Sequence, residues 1–188
     1  MVIFTAPSGA GKTTLVHHVL HQRQDLAFSV SACTRTQREG EVHGRDYYFL
    51  SRKKFEEKIE NGEFLEWEEV YEGTYYGTLR SEVQRIWRGG RHIIFDIDVQ
   101  GALNIKHEYD SAALGIFIKP PSVDVLEQRL LKRGSESEKL YQMRIDKAKE
   151  ELDYEPYFDC VIVNKDFDKA GPEAEEVVNN FLYQVKDR

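Results

Sequence analysis

Short apolar runs alternate with longer stretches of helical periodicity along most of this chain. The runs predict buried strands at 2–5, 28–31, 93–97, 114–118 and 160–163. Apolar positions repeating at helical spacing predict helices at 100–107, 123–132 and 140–152, and a first helix that carries Leu15, Val16, Val19 and Leu20. Strands that alternate with helices in this way predict an α/β fold with a parallel sheet.

Two stretches depart from this alternation. Residues 33–90 hold short strand-like pieces rich in Tyr and Glu, at 47–50, 64–67 and 75–76, which predict a small β-rich insertion. Residues 123–155 are highly charged and carry Gly134 and Ser135 between two helical segments, which predicts a projecting helical hairpin. The pairs Pro120-Pro121 and Gly171-Pro172 are expected to act as breakers before the helices that follow them.

Length and charge narrow the classes of function. A chain of 188 residues suits one compact domain that carries small subdomains. Its formal net charge of -7 argues against general nucleic-acid binding, which needs a basic surface, but it permits small polyanions where cations gather locally. The sequence has two cysteines, which predicts reduced thiols in a cytoplasmic protein. It shows no apolar run of membrane length and no signal-like segment before Val2, so we expect no contact with a membrane.

The strongest local motif is Ala6-Pro7-Ser8-Gly9-Ala10-Gly11-Lys12-Thr13, which follows a predicted strand and opens a helix. Glycines at this spacing let backbone N–H groups converge on phosphate oxygens at a helix N-terminus. Lys12 would reach the β- and γ-phosphates, and the Thr13 hydroxyl would bind Mg²⁺ together with phosphates and water. Ala6 stands where the pattern has Gly, so its backbone must suit a residue with a Cβ. The alternative is an ordinary strand–turn–helix with a lysine at its start.

Arginines, tyrosines and carboxylates supply a second set of candidates. Arg35 and Arg38 lie three apart in a polar loop, where they can grip one phosphate by forked hydrogen bonds, and Tyr47 and Tyr76 can add hydroxyl donors. Taken alone, such arginines are usually solvated and such tyrosines usually belong to the core.

Three acidic residues occur beside or within apolar strands: Glu66, Asp96 and Asp98. A buried carboxylate needs a partner, and the N1–H and amino group of guanine are suitable donors. The guanine O6 could accept from Ser31 or Thr78, and adenine lacks this pattern. For Asp96 and Asp98 taken singly, a role as an ion-pair partner or helix cap is equally open.

At this point the chain resembles the guanylate kinase family over essentially its whole length. The resemblance includes the phosphate loop and five further motifs in the same order: Thr34-Arg35-x-x-Arg38-x-Gly40-Glu41 with Gly44-x-Asp46-Tyr47, Glu63-Phe64-Leu65-Glu66-Trp67, Tyr75-Tyr76-Gly77-Thr78, Asp96-Ile97-Asp98-x-Gln100-Gly101, and Arg129-x-x-x-Arg133-Gly134. The chain differs at Cys33-Thr34-Arg35 and Gln37-Arg38, where the family often has Thr-Thr-Arg and Pro-Arg.

The resemblance implies a three-layer P-loop kinase fold with a parallel five-stranded sheet in a single domain. Its core would cover about 1–32, 91–122 and 156–188, with a GMP-binding subdomain at about 33–90 and a helical lid at about 123–155. The implied reaction is reversible transfer of the ATP γ-phosphoryl group to GMP with Mg²⁺, giving ADP and GDP. GMP or dGMP would be the acceptor, ATP the co-substrate, and the chain a monomer or homodimer.

The resemblance also assigns residues to sites. The ATP site would comprise Ser8, Gly9, Ala10, Gly11, Lys12, Thr13, Thr14, Arg129, Arg133 and Asn164. The GMP site would comprise Ser31, Arg35, Arg38, Tyr47, Glu66, Tyr76, Thr78 and Asp98. Lys12, Arg35, Asp96, Arg133 and Arg144 would take part in catalysis, with Asp96 near the metal–phosphate centre. Arg144 also shares a helical face with Leu140 and Ala148 at i, i+4 spacing, which predicts that it turns toward the protein body.

The main alternative of another class is a catalytically inactive scaffold module that keeps the fold and binds a phosphorylated partner. Retention of Lys12, Thr13, Arg133 and Arg144 argues against it. His17 and His21 lie four apart on the first helix, but no further ligands accompany them, and a surface helix face is the better interpretation.

Overall fold

The computed structural model describes residues 1–132 and 138–186. Its strands are β1 Val2–Thr5, β2 Leu26–Phe28, β3 Ala32–Cys33, β4 Tyr48–Phe49, β5 Phe64–Tyr71, β6 Thr74–Leu79, β7 His92–Asp96, β8 Leu114–Lys119 and β9 Cys160–Val163. Its helices are α1 Lys12–Gln22, α2 Arg52–Glu60, α3 Arg80–Arg88, α4 Val99–Tyr109, α5 Val123–Lys132, α6 Glu138–Leu152 and α7 Phe167–Lys186. Short 3₁₀ turns occur at Asp110–Ala112 and Glu155–Tyr157.

The larger sheet has five strands in the order β2-β7-β1-β8-β9. Strand β1 pairs in parallel with β7 and with β8, and β8 pairs in parallel with β9. All residues of β1 are buried, as expected for a central strand covered on both faces. The predicted α/β fold with a parallel five-stranded sheet is confirmed. The phosphate loop follows β1, and Asp96 is the last residue of the adjacent strand β7, which places both at the same edge of the sheet.

The smaller sheet has four strands in the order β4-β3-β6-β5, with β3 parallel to β4 and β6 antiparallel to both β3 and β5. One face of this sheet packs on α2 through a buried aromatic cluster. Phe55 stacks on Phe64 with ring centroids 4.3 Å apart, and Tyr75 and Leu79 complete the cluster. The predicted β-rich insertion is therefore a sheet with its own apolar core.

By its internal contacts the chain divides into two compact units. One comprises residues 1–24 and 94–188, and the other comprises residues 25–93. In the first unit α1 packs against α7, and α4 packs against β1 and β8. A second cluster in that unit joins α5 to α6 through Leu126, Leu130, Ile145 and Ala148. Among the helices in the described part of the chain, none has the length and apolar character needed to cross a membrane.

Two predictions about the positions of elements are wrong. The expected strand at 28–31 is instead the end of β2 and a gap before β3, because Val30 gives its N–H to a side chain rather than to a strand. The expected break at Gly171-Pro172 is absent, since α7 begins at Phe167 and runs through Pro172. Pro172 is the sixth residue of α7 and has no N–H to give to the carbonyl of Asp168, but the helix continues past this one missing bond.

Candidate active site

The phosphate loop leaves β1 and ends where α1 begins at Lys12. Gly9 and Gly11 have φ of 92° and 90°, a conformation that favours glycine. Ala6 is not among the residues with positive φ, and Asp110 is the one non-glycine residue of the described chain that has it. The expectation that Ala6 sits in an ordinary backbone conformation is therefore confirmed.

Two side chains hold the middle of the loop by the carbonyl of Ala10. Asn164, buried just after β9, donates to that oxygen from its amide nitrogen at 2.8 Å. Arg129 of α5 donates to the same oxygen at 3.2 Å and to the Asn164 carbonyl at 3.0 Å. A carbonyl fixed in this way keeps the neighbouring N–H groups of the loop directed toward a bound anion.

Lys12, Thr13 and Asp96 form a charged cluster at the start of α1. The Lys12 ammonium lies 2.8 Å from one carboxylate oxygen of Asp96, and the Thr13 hydroxyl donates to the other at 2.6 Å. Lys12 also donates to the carbonyl of Ile97. A hydroxyl and a carboxylate side by side are hard oxygen ligands that suit Mg²⁺, so the residues present fit the predicted ion.

Asp98 caps α4 by accepting the N–H of Gly101 at 2.9 Å. This is one of the roles that the sequence left open for it, and its predicted contact with guanine stays a prediction. Asp96, the other residue for which a structural role was open, is paired with Lys12.

Glu151, near the end of α6, is a further acidic group beside the loop. It is buried, and its carboxylate lies 4.0 Å from the Lys147 ammonium. Burial raises the pKa of the Glu151 carboxyl to about 7, although Lys147 and Lys12 and the N–H of Ser8 oppose the rise. Sequence reasoning missed this residue, because nothing in its spacing separates it from the other glutamates of the predicted hairpin.

In the second unit, four predicted GMP-binding residues fall in one row across the small sheet. Glu66 lies directly opposite Thr78 in the β5–β6 register. Ala32 pairs with Gly77 of β6 and with Tyr48 of β4. Continuing these registers back by one residue places Ser31 beside Thr78 on one side and beside Tyr47 on the other. Residues opposite one another across strands share a face, so the row of Glu66, Thr78, Ser31 and Tyr47 presents its side chains together.

Most of this row is buried, which makes its polar atoms informative. Glu66, Thr78 and Ser31 are 5%, 0% and 8% exposed. The Thr78 hydroxyl is buried and has no hydrogen-bond partner within the described structure. A buried hydroxyl without a partner costs free energy, which a ligand acceptor or donor at this point would recover.

The predicted phosphate grip lies next to the row. Tyr47 and Tyr76 contact each other with ring centroids 6.0 Å apart, and the Arg35 guanidinium stacks 4.8 Å from the Tyr47 ring centre. Glu41 receives two hydrogen bonds from Arg35, at 2.7 and 2.6 Å, which hold the pKa of the Glu41 carboxyl down at about 2. Burial raises the pKa of the Tyr76 phenol, so Tyr76 remains a neutral donor at neutral pH.

Comparison with known proteins identifies the family. The family model described as guanylate kinase matches residues 1–181. The chain belongs to the guanylate kinase family. The guanylate kinase of Bacteroides fragilis is 45% identical over 182 residues, which cover 97% of this chain and 89% of the relative. That of Porphyromonas gingivalis is 45% identical over 183 residues, which cover 97% of each chain.

A solved structure extends the agreement to three dimensions. The crystal structure of guanylate kinase from Anaplasma phagocytophilum matches with a TM-score of 0.76 and 29% sequence identity, covering 98% of this chain and 85% of that one. The family resemblance predicted from the motifs and the predicted P-loop kinase fold are both confirmed.

The remaining guanylate kinase positions are distributed as follows. Arg144 lies in α6 and is partly buried, which agrees with its predicted orientation toward the protein body. Thr14 and Arg38 are exposed, and the backbone N–H of Arg38 donates to Glu41. Arg133 lies outside the described residues, and its predicted contact with ATP stays a prediction. Glu41 lies in one of the motifs but was given no role there, and Glu82 and Glu151 lie outside the motifs; each of the three holds a functional segment.

Proposed function

We propose that this chain is an active guanylate kinase that transfers the γ-phosphoryl group of ATP to GMP, giving ADP and GDP. The observation that carries the acceptor assignment is the row of Glu66, Thr78, Ser31 and Tyr47. It offers a carboxylate for the N1–H and amino group of guanine and a buried, unpartnered Thr78 hydroxyl for its O6. Adenine presents the opposite pattern at these atoms and would leave buried groups unpaired.

Arg35 supports the assignment of the acceptor phosphate. Its guanidinium is fixed by Glu41 and by the rings of Tyr47 and Phe49, so little side-chain entropy remains to be lost when an anion binds. Arg38 and the Tyr76 phenol would add donors to the same phosphate.

The donor end is supported by the phosphate loop with Lys12 and Thr13. The loop N–H groups and the Lys12 ammonium would hold the ATP phosphates, and Asn164 and Arg129 would keep the loop in shape. Thr13 would hold Mg²⁺ with Asp96 nearby, and that ion would supply positive charge to the transferring phosphoryl group. Arg144 and Arg133 would add positive charge, because negative charge spreads over the γ-phosphoryl oxygens in the transition state. No protein base is required, because the GMP phosphate is already anionic.

The test is ADP release in a coupled assay with ATP and Mg²⁺, offering GMP, dGMP, AMP, UMP and CMP separately. We expect turnover with the guanine nucleotides alone. Arg35→Ala should reduce it by at least about tenfold, since a charge-assisted contact to phosphate is lost. The matched control is Arg52→Ala, which removes an exposed arginine paired with Glu56 in the same unit and should keep wild-type turnover.

The outcomes of this assay distinguish the kinase hypothesis from the alternatives. Turnover with AMP and none with GMP would overturn the guanine assignment of the row. Absence of turnover with every acceptor, together with retained GMP binding, would favour the scaffold reading. Chelation of Mg²⁺ should abolish turnover and added Mg²⁺ should restore it, whereas turnover unaffected by chelation would contradict the role of Thr13.

A cytoplasmic location is part of the proposal. It is supported by Cys33 and Cys160, both of which are free thiols.

A further inference from the structure

Glu82, in α3, is a buried carboxylate that the family motifs do not explain. Its side chain is 1% exposed. It accepts the backbone N–H of Val30 at 3.0 Å and the hydroxyl of Tyr48 at 3.1 Å. Arg85, one turn along the same helix, donates to both carboxylate oxygens at 2.8 and 2.7 Å. A single side chain thus joins three segments of the second unit.

The two distant partners of Glu82 are the immediate neighbours of two residues in the acceptor row. Val30 precedes Ser31, and Tyr48 follows Tyr47. Because successive side chains alternate between the faces of a strand, Tyr48 points away from the face that carries the row. Glu82 therefore binds the two segments on the opposite face of the small sheet from the row, beside the position where Ser31 and Tyr47 are neighbours. The backbone N–H of Tyr48 also donates to the Ser31 carbonyl at 2.9 Å.

We propose that Glu82 is a positioning residue of the acceptor site, which sets the Ser31 and Tyr47 segments at the spacing that the guanine base and its phosphate require. The inference rests on the proposed function, since it assumes that the row binds GMP.

The local backbone explains why a carboxylate is needed here. Val30 is buried and lies in the gap between the end of β2 and the start of β3, so no strand offers its N–H a partner. A buried N–H must be paired, and Glu82 is the acceptor that the fold supplies. An apolar side chain would fill the same volume but would leave both Val30 and Tyr48 without a partner.

A purely stabilising role explains the arrangement less well. The Glu82 carboxylate is buried but the Arg85 side chain is 52% exposed, so attraction to this solvated partner is weak and is offset by desolvation of the carboxylate. The best-attested benefit of buried ionic groups is a unique arrangement of the groups around them. The hydrogen bonds of Glu82 end on segments that carry candidate ligand contacts, which is where a unique arrangement matters for binding.

The test compares the steady-state constants of Glu82→Leu, Glu82→Gln and Tyr48→Phe with those of the wild type. Glu82→Leu removes the hydrogen bonds to Val30 and Tyr48 and leaves the buried Val30 N–H without a partner. We therefore expect the KM for GMP to rise by about ten- to a hundredfold. Tyr48→Phe removes one of these hydrogen bonds, and a rise of about fivefold is expected. Glu82→Gln keeps an oxygen for Val30 and a donor for the Tyr48 oxygen, but it turns its amide group toward the Arg85 Nε–H, so it should recover part of the affinity.

In all three variants the KM for ATP should stay within about twofold of the wild-type value. The control is Glu56→Gln, which removes an exposed carboxylate from α2 in the same unit and should change neither KM. The split between the two KM values is the readout that a general loss of stability would not produce. Melting temperatures of all variants are recorded alongside.

The inference is overturned if the KM for GMP is unchanged in Glu82→Leu, or if both KM values rise together in Tyr48→Phe. Should Glu82→Leu fail to fold, Tyr48→Phe and Glu82→Gln decide the question, because both retain the carbonyl or carboxylate that pairs with Val30. Absence of GMP turnover in the wild type would overturn the proposed function itself. If the wild type turns over GMP but the variants change the KM for GMP and the KM for ATP equally, only the role of Glu82 is overturned.

Discussion

At the scale of single residues, Glu151 shows how burial beside the phosphate loop changes a carboxyl group. The pKa of Glu151 rises from 4.5 to about 7 through burial, with Asp98 adding repulsion and with Lys147, Lys12 and the Ser8 N–H opposing the rise. The unfolded chain loses its proton near the ordinary value, whereas the folded chain retains it to about pH 7. The stability that Glu151 contributes is therefore fully present below about pH 4.5 and is lost as pH rises toward 7.

This predicts a pH-dependent difference between the wild type and Glu151→Gln. The free energy of unfolding of the wild type, relative to that of the variant, should fall by roughly 3 kcal/mol between pH 4.5 and 7 and level off above that range. Urea unfolding at closely spaced pH values measures it, with Glu150→Gln on the exposed side of the same helix as control. A difference that stays constant, or that grows with pH, would contradict the placement of Glu151.

Gly11 is the second residue whose surroundings lead to a prediction. Its φ is 90°, and an added Cβ would stand 2.3 Å from the Asn164 amide nitrogen. Gly11→Ala should therefore strain the loop and displace Asn164 from the Ala10 carbonyl, raising the KM for ATP by about tenfold or more.

Gly62→Ala is the matched control, because Gly62 also has positive φ, at 64°, but an added Cβ there meets nothing within 4 Å. Both variants should lose stability through backbone strain. Only Gly11→Ala should raise the KM for ATP, as measured by steady-state kinetics with saturating GMP. Equal effects of the two substitutions on the KM for ATP would show that Asn164 is unimportant to the loop.

At the scale of elements, α5 is joined to the phosphate loop by a side chain that the sequence assigns to ATP. The Arg129 guanidinium donates to two carbonyls, those of Ala10 and Asn164. Leu130 of the same helix lies against Gly9, where an added Cβ would be 3.2 Å away. The helix therefore supports the loop directly, in addition to any contact with nucleotide.

Replacing Arg129 separates these roles. Arg129→Lys keeps the charge but cannot reach two carbonyls with a planar fork, so it should raise the KM for ATP nearly as much as Arg129→Ala, by about five- to tenfold. If charge toward phosphate were the main role, Arg129→Lys would be close to the wild type instead. Lys149→Ala, which removes an exposed cation of α6 paired with Glu127, is the control in the same assay.

The elements also show what periodicity can and cannot predict. Strand β9 and helix α5 have the predicted bounds, because each is an uninterrupted apolar or amphipathic segment. The strand at 28–31 was misplaced because a buried carboxylate takes the N–H of Val30, and no local pattern reveals a partner 52 residues away. The interpretation of Pro172 was wrong because α7, with 20 residues, continues past the one hydrogen bond that a proline cannot make.

At the scale of the whole molecule, the candidate site was predictable to the extent that its residues lie in motifs. The phosphate loop and the four residues of the acceptor row were assigned from sequence, and strand registers then brought the row together. The supporting groups were not predictable. Glu82 and Glu151 act on residues far away along the chain, and a single sequence does not show which glutamates are buried.

The division of the chain into two units has a consequence for ligand binding. The phosphate loop, at residues 6–13, belongs to the first unit, whereas the row and Arg35 belong to the second. We therefore expect ATP alone to slow amide hydrogen exchange at the phosphate loop, and GMP alone to slow it around the row and Arg35. A non-hydrolysable ATP analogue should protect residues 9–14, because loop N–H groups bind phosphate directly.

GMP alone should protect residues 30–41, since its base and phosphate would order the segment between Val30 and Glu41. Arg35→Ala should abolish this protection and leave that from the ATP analogue intact, which separates a lost ligand contact from a general loosening of the chain. Protection of residues 9–14 by GMP alone, with none at 30–41, would place the acceptor on the phosphate loop. It would contradict the assignment of the acceptor to the row, because a guanine held by the row must lower the mobility of the backbone on which Ser31 stands.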